Sequence, residues 1–212
     1  MKIKNLYPGS YYSNCYLVVS GSHGIVIDPS APTPRILAAM REEACTLDGI
    51  YLTHGHFDHI ESLDSLRAAT GAPAFLHQAD STFPSDSIAN AYAVFFHTPR
   101  VWKDADFTLQ GGEEISLGET RFRVLHTPGH TGGSVCFLFS DDRVLFTGDT
   151  LFAESYGRCD LRGGSAAMMR TSLHTLADLS ETEGAGKTIR IYPGHGDDAL
   201  LANALDNAYY YS

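Results

Sequence analysis

The 212-residue sequence predicts an α/β fold in which two mixed β-sheets pack together with helices outside. Three observations predict it. Short apolar, β-branched runs suited to buried strands fall into two groups along the chain. Each group is followed by helical patterns, so the order is strand-rich, helical, strand-rich, helical rather than a plain alternation. Strand ends also run repeatedly into turn signals that carry His or Asp.

The first group of strands comprises Cys15–Val19, Gly24–Ile27 and Gly49–Leu52, with helical patterns at Thr33–Ala44 and Ile60–Thr70. The second comprises Phe122–Leu125, Ser134–Phe139 and Arg143–Phe146, followed by helices at Ser165–Leu179 and Ala199–Tyr209. Segment 79–110 differs, holding Phe83, Tyr92, Phe95, Phe96, Trp102 and Phe107 among polar residues with Pro84 and Pro99. It reads as a helical excursion with core aromatics, or as a lid, pocket wall or dimer contact. With no repeat, charge block or low-complexity linker, residues 1–212 read as one domain.

Composition excludes some function classes. Acids outnumber Lys and Arg by 25 to 15, a net charge of −10, which argues against a nucleic-acid partner. No run approaches the roughly 20 apolar residues of a membrane span, and no apolar h-region follows Met1–Asn5. Cys15, Cys45, Cys136 and Cys159 are widely spaced without a CxxC pair, as expected of free thiols in a reducing cytoplasm.

The ten histidines carry the functional signal. Leu52 ends a strand immediately before Thr53-His54-Gly55-His56-Phe57-Asp58-His59. His54 and His56, two apart on an extended turn, can project to one side and share an ion. Asp58 and His59, at the expected start of the Ile60–Thr70 helix, can turn toward a second position. Packing supplies no reason to place three imidazoles and a carboxylate within six positions. Three further strand ends deliver His130 in Pro128-Gly129-His130, Asp149 in Thr147-Gly148-Asp149-Thr150, and His195 in Pro193-Gly194-His195-Gly196. Loops at strand ends are where rigid scaffolds present catalytic groups. His23, His77, His97, His126 and His174 read as surface or core residues, with His126 close enough to the Pro128–His130 turn to support it.

His54-Gly55-His56-Phe57-Asp58-His59 resembles the HxHxDH motif of the metallo-β-lactamase superfamily, and His130, Asp149 and His195 resemble its later ligands in the same order. The resemblance spans nearly the whole chain and implies an αββα sandwich with the site at one edge of the two sheets. It assigns His54, His56 and His130 to one metal and Asp58, His59 and His195 to another, with Asp149 bridging. Asp58 and Asp149 are then the carboxylates of the catalytic centre. The cofactor it implies is two divalent ions, Zn first and Fe or Mn as alternatives, which the imidazole and carboxylate donors also suit. Two such ions about 3.5–4 Å apart can share a hydroxide and lower the pKa of water from 15.7 to around 7.

Within the superfamily, Gly148-Asp149-Thr150-Leu151-Phe152 followed by Tyr156-Gly157-Arg158-Cys159-Asp160 and Gly163-Gly164 looks like the corresponding stretch of glyoxalase II-like proteins. Asp206-Asn207-Ala208-Tyr209 echoes that group's terminal element imperfectly. The true β-lactamases typically have Cys or Ser where this chain has Asp149. Full-length hydroxyacylglutathione hydrolases add a C-terminal helical domain and place lysine and tyrosine substrate contacts where this chain reads Gly157–Asp160. The match is therefore to their compact single-domain relatives. It implies a hydrolase of small-molecule thioesters such as S-2-hydroxyacylglutathione, or of other esters. Persulfide dioxygenases resemble the chain too and use one iron held by the counterparts of His54, His130 and Asp149. Lactonase activity and a non-catalytic metal-binding role are further readings. Arg158 is expected either to hold a substrate carboxylate bidentately or to pair with Asp160. Tyr12 and Tyr156 are candidate substrate contacts, Thr53 and Thr131 candidate buttresses of the metal loops, and Cys159 a buried thiol or a site-facing one.

Overall fold

A computed structural model describes residues 1–182 and 188–210. Twelve strands form two six-stranded sheets in this portion. The first sheet runs in chain order: β1 (Lys2–Asn5), β2 (Tyr16–Ser20), β3 (His23–Ile27), β4 (Thr46–Tyr51), β5 (Ala74–His77) and β6 (Phe107–Leu109). The β1–β2 and β2–β3 pairs are antiparallel, and β3 to β6 are parallel. The parallel pairs require crossovers: α1 (Thr33–Glu42) joins β3 to β4, α2 (Leu63–Thr70) joins β4 to β5, and the long segment 78–106 joins β5 to β6. The second sheet is ordered β12-β11-β10-β9-β8-β7, from β7 (Glu114–Leu117), β8 (Thr120–His126), β9 (Val135–Phe139), β10 (Val144–Gly148), β11 (Arg190–Pro193) and β12 (Ala199–Leu200). Only its β10–β11 pair is parallel, and α4 (Ala166–Thr182) makes that crossover.

Strand periodicity splits side chains between layers. In β2, Tyr16 and Val18 face the second sheet while Leu17 and Val19 face α1 and α2. In β9, Val135, Phe137 and Phe139 enter the inter-sheet core while Cys136 and Leu138 face the opposite layer. Phe122, Phe137, Phe139 and Phe146 are fully buried between the sheets. Met169, Leu173 and Leu176 of α4, and Leu201, Ala204, Leu205 and Ala208 of α5 (Leu201–Tyr210), cover the second sheet at helical spacing. The αββα sandwich of two mixed sheets is therefore present as expected.

Three expectations are corrected. The second helix starts at Leu63, not Ile60, so Asp58 and His59 lie in a tight turn, with the His59 N–H donating to the His56 carbonyl at 3.1 Å. Segment 79–110 is not a helical excursion. Its only α-helix among the described residues is the five-residue α3 (Tyr92–Phe96), bracketed by Ala91 (φ 66°) and His97 (φ 56°). The aromatics there divide: Phe83 and Trp102 are buried, whereas Phe95, Phe96 and Phe107 are 42%, 42% and 55% exposed. The third correction is the set of strands the sequence reading omits, β1, β5, β6, β7 and β12, mostly edge or near-edge strands of two to four residues. No described helix is long and apolar enough to cross a membrane.

Candidate metal centre

The loops leaving β4 of the first sheet and β8, β10 and β11 of the second carry the seven predicted residues and bring them together. Their donor atoms form three overlapping groups: His54, His56 and His130; His54, His59 and Asp149; and Asp58, His59 and His195. Asp149 spans the first and last of these. Its Oδ2 is 3.5 Å from His130 Nε2 and 3.7 Å from His195 Nε2, and its Oδ1 is 3.3 Å from His59 Nε2. Asp58 Oδ2 lies 3.2 Å from His195 Nε2.

Hydrogen bonds behind the rings set their tautomers. Thr53 Oγ1 donates to Asp28 Oδ2 at 2.7 Å and so accepts from His54 Nδ1 at 3.1 Å. His59 Nδ1 donates to Asp28 Oδ2 at 2.8 Å, and His130 Nδ1 donates to the Arg158 carbonyl at 2.7 Å. In its neutral form each of these three rings therefore turns an Nε2 lone pair toward the centre. His56 Nδ1 sits 3.1 Å from His54 Nε2 and 2.8 Å from His130 Nε2. One proton on His56 Nδ1 can satisfy only one of those two lone pairs. Among the described residues, buried His59 Nε2 and Asp149 Oδ1 have no hydrogen-bond partner either. Converging lone pairs on neutral imidazoles and carboxylates, without thiolate, fit divalent Zn, Fe or Mn.

The electrostatics divide the rings: burial lowers His59 and His195, but Asp149 and the neighbouring carboxylates outweigh it and raise both, His59 well above the ordinary histidine range, so an ion binding there would displace a proton. Burial, reinforced by the neighbouring rings, pushes His54 well below the ordinary histidine range and His56 down to about 3, so both are neutral donors. Burial works against the charged form of Asp149, yet His59 and His195 outweigh it and hold the carboxyl well below its usual range. Burial likewise opposes charge on Asp58, and His59 with His195 again prevails.

Two glycines let the loops approach. A Cβ on Gly194 would lie 2.2 Å from Asp149 Oδ1 and 2.7 Å from His59 Cε1. Gly148 has φ +49°, and a Cβ there would meet Thr53 Oγ1 at 2.5 Å.

Several supporting residues escape the sequence reading. Asp28, at the end of β3 with φ 51°, also accepts from the Thr53 backbone N–H at 2.8 Å. Asp80 is fully buried and accepts from Gly55 N, Gly133 N and Thr131 Oγ1, tying the His54–His56 loop to the His130 loop. Asn14 Nδ2 donates to the carbonyls of Pro193 and Gly196 on either side of His195. The available signal was the strand-then-acid pattern of Ile25-Val26-Ile27-Asp28, the same pattern that marks Asp149.

A cleft of about 300 Å³ opens over the centre, reaching His56, Asp58, His130, Asp149 and His195. Its remaining walls include Phe95, so part of segment 79–110 is a pocket wall. Arg158 lines the cleft, but its Nε and Nη2 bond both oxygens of Asp160 at 2.6 and 2.7 Å. Tyr12 packs edge-on against Phe57 outside the cleft, and Tyr156 packs against the α4 layer; Tyr11 lines the cleft instead. Cys159 is half-buried with Sγ 3.4 Å from the Gly157 carbonyl. Thr53 and Thr131 buttress the loops through Asp28 and Asp80. His126 braces the His130 loop through the Gly132 carbonyl at 2.9 Å and stacks on His77.

The sequence profile of the metallo-beta-lactamase superfamily matches residues 8–195. The chain belongs to this superfamily. The probable metallo-hydrolase YqgX of Bacillus subtilis (strain 168) is 33% identical over 174 residues, 82% of each chain. Among solved structures, the BLEG-1 B3 metallo-beta-lactamase superposes with a TM-score of 0.89 at 29% identity, covering 100% of both chains. TTHA1623, solved in a di-iron-bound form, gives 0.81 at 30% identity over 98% of this chain and 99% of its own. Membership, with the His and Asp clusters, supports metal binding and leaves zinc and iron both open.

Proposed function

We propose that the chain is a metal-dependent hydrolase that cleaves thioesters to a carboxylic acid and a thiol. The observation that carries the hydrolase reading is Asp149, placed within reach of both histidine groups at the base of a cleft. His54, His56 and His130 would hold one ion and Asp58, His59 and His195 a second, with Asp149 shared between them. When bound, two divalent ions polarise a carbonyl and acidify water toward neutral pH. Asp58 and Asp149, both held below the usual carboxylate range, would supply negative charge that retains those ions. Asp28 and the Arg158 carbonyl hold His59 and His130 in the donor tautomer. Phe57 and Phe95 exclude water from one side of the cleft.

The relative named a probable metallo-hydrolase supports the reaction class. The Gly157–Gly164 loop, with its glyoxalase II-like sequence, supports the thioester bond and names S-2-hydroxyacylglutathione as a first substrate to try. Zn is the ion we assign, with Fe and Mn as the alternatives. The test is metal quantification coupled to a panel containing S-D-lactoylglutathione, simple thioesters, a lactone and a chromogenic cephalosporin. Two equivalents of metal with thioester turnover support the proposal. A single iron with oxygen consumption on glutathione persulfide would replace it with the oxygenase reading, and preferential cephalosporin cleavage with a lactamase one.

A further inference from the structure

The cleft that would receive the substrate is apolar on most of its circumference. Tyr11, Phe57, Ala91, Phe95, Phe152 and Leu161 form its walls. Phe57 is buried and fixed by the Phe95 and Phe96 rings at 5.9 and 5.5 Å, so the wall is rigid at its base. Phe95 and Tyr11 at the mouth remain 42% and 68% exposed, leaving apolar surface that a ligand could cover.

Fixed positive charge is scarce there. Among the described residues lining the cleft, Arg158 is the only Lys or Arg. Its Nε–Nη2 edge is taken by both oxygens of Asp160, and its guanidinium carbon lies 5.8 Å from the centre of the Phe95 ring. Arg162, the other arginine of the loop, pairs with Asp86 at 2.8 Å. A glutathione conjugate brings two carboxylates and would find no unpaired arginine to receive them.

We infer that the cleft selects an uncharged, apolar ester or thioester over an anionic conjugate such as a glutathione thioester, with Phe95 and the Arg158–Asp160 pair setting that preference. This rests on the hydrolase reading and ranks its substrates. Asp160 neutralises Arg158, so the pair extends the wall instead of serving as an anion receptor. Bound apolar groups gain by leaving water, about fourfold in binding per buried methylene.

The experiment compares acetyl, butanoyl and hexanoyl thioesters of N-acetylcysteamine with the same acyl groups on glutathione, using metal-loaded protein. The expected result is a kcat/KM that climbs up to about fourfold per methylene and favours the neutral thiol at every chain length. Phe95→Ala should flatten the climb. Asp160→Asn, which frees the Arg158 guanidinium, should shift the ratio several-fold toward the glutathione esters. A flat series, or wild-type preference for glutathione, overturns the inference. Should nothing be hydrolysed, the hydrolase reading fails by itself. Calorimetric binding of S-hexyl-N-acetylcysteamine against S-hexylglutathione then decides the cleft's preference: tighter binding of the neutral thioether supports it, and equal or weaker binding overturns it.

Discussion

Asp28 Oδ2 accepts a 2.8 Å hydrogen bond from His59 Nδ1, and the same oxygen takes the Thr53 hydroxyl at 2.7 Å. One buried carboxylate thus orients His59 directly and His54 through Thr53, reaching histidines assigned to both ions. Asp28→Asn keeps the shape but removes the charge and offers an amide where an acceptor is needed. Metal affinity should fall about 10–100-fold, measured by competition against a chromogenic chelator. An unchanged affinity would show that the two rings do not need Asp28.

Asp80 should matter to stability and to its pH dependence. Asp80→Ala strands three buried donors and should cost about 3 kcal/mol, read from urea unfolding. Burial raises the Asp80 pKa, and the donated bonds from Thr131, Gly55 and Gly133 only partly offset it. A carboxyl raised in the folded state holds its proton longer there than in the unfolded chain, so its contribution is present at low pH. That contribution is lost as pH rises from the unfolded value through the raised folded one. Asp80→Asn should remove this slope. Parallel stability-versus-pH curves for wild type and Asn would refute the assignment.

Gly194→Ala tests the close approach of the His195 loop. A methyl group 2.2 Å from Asp149 Oδ1 has to displace either that carboxylate or the backbone. Overpacking of this kind costs about 1–3 kcal/mol, and here the displaced group is the carboxylate proposed to be shared between two ions. Metal content by elemental analysis should fall below that of wild type. Full metal occupancy with normal turnover would mean the loop relaxes without harm.

How much of this was legible in the sequence depends on how local each signal is. His54, His56, Asp58 and His59 share one turn, and His130, Asp149 and His195 each follow a recognisable strand, so the seven positions could be named without coordinates. The sandwich was legible because β2, β9 and β10 are apolar on both faces, as strands buried between two layers must be. Asp28 and Asp80 were not named because their partners lie 25 to 53 residues away. Alone, each looks like an ordinary turn acid. Strand β6 has three residues, two of them exposed, and its pairing with β5 gives it no periodicity to read. Segment 79–110 reads as a helical excursion in sequence, whereas its backbone is tied by Asn90, whose side chain bonds the Pro84 and Arg100 carbonyls and the Tyr92 N–H.

Phe137 is the clearest test of the inter-sheet core. It is fully buried, with Tyr51 and Phe122 edge-on at 5.9 and 5.7 Å. Phe137→Ala should cost about 3–5 kcal/mol by chemical denaturation. A cost below about 1 kcal/mol would mean that the two sheets close over the gap.

Removing metal should destabilise the fold as well as silence it. Without a cation, His56 Nδ1 faces two ring nitrogens at 3.1 and 2.8 Å that already spend their protons elsewhere. Lone pairs pointed at one another in a buried site repel, and a divalent ion converts that repulsion into bonding. A ligand that binds only the folded state at a thousand times its Kd stabilises by about 4 kcal/mol. For a chain of this size each kcal/mol raises Tm by about 2–4 °C, so saturating Zn should raise Tm by about 8–16 °C over the chelated protein. His56→Ala removes the ring that crowds the other two and one donor of the proposed site together. The chelated variant should therefore melt closer to its metal-loaded form than wild type does. If calorimetry finds the same metal-induced rise in both proteins, His56 is not part of the site.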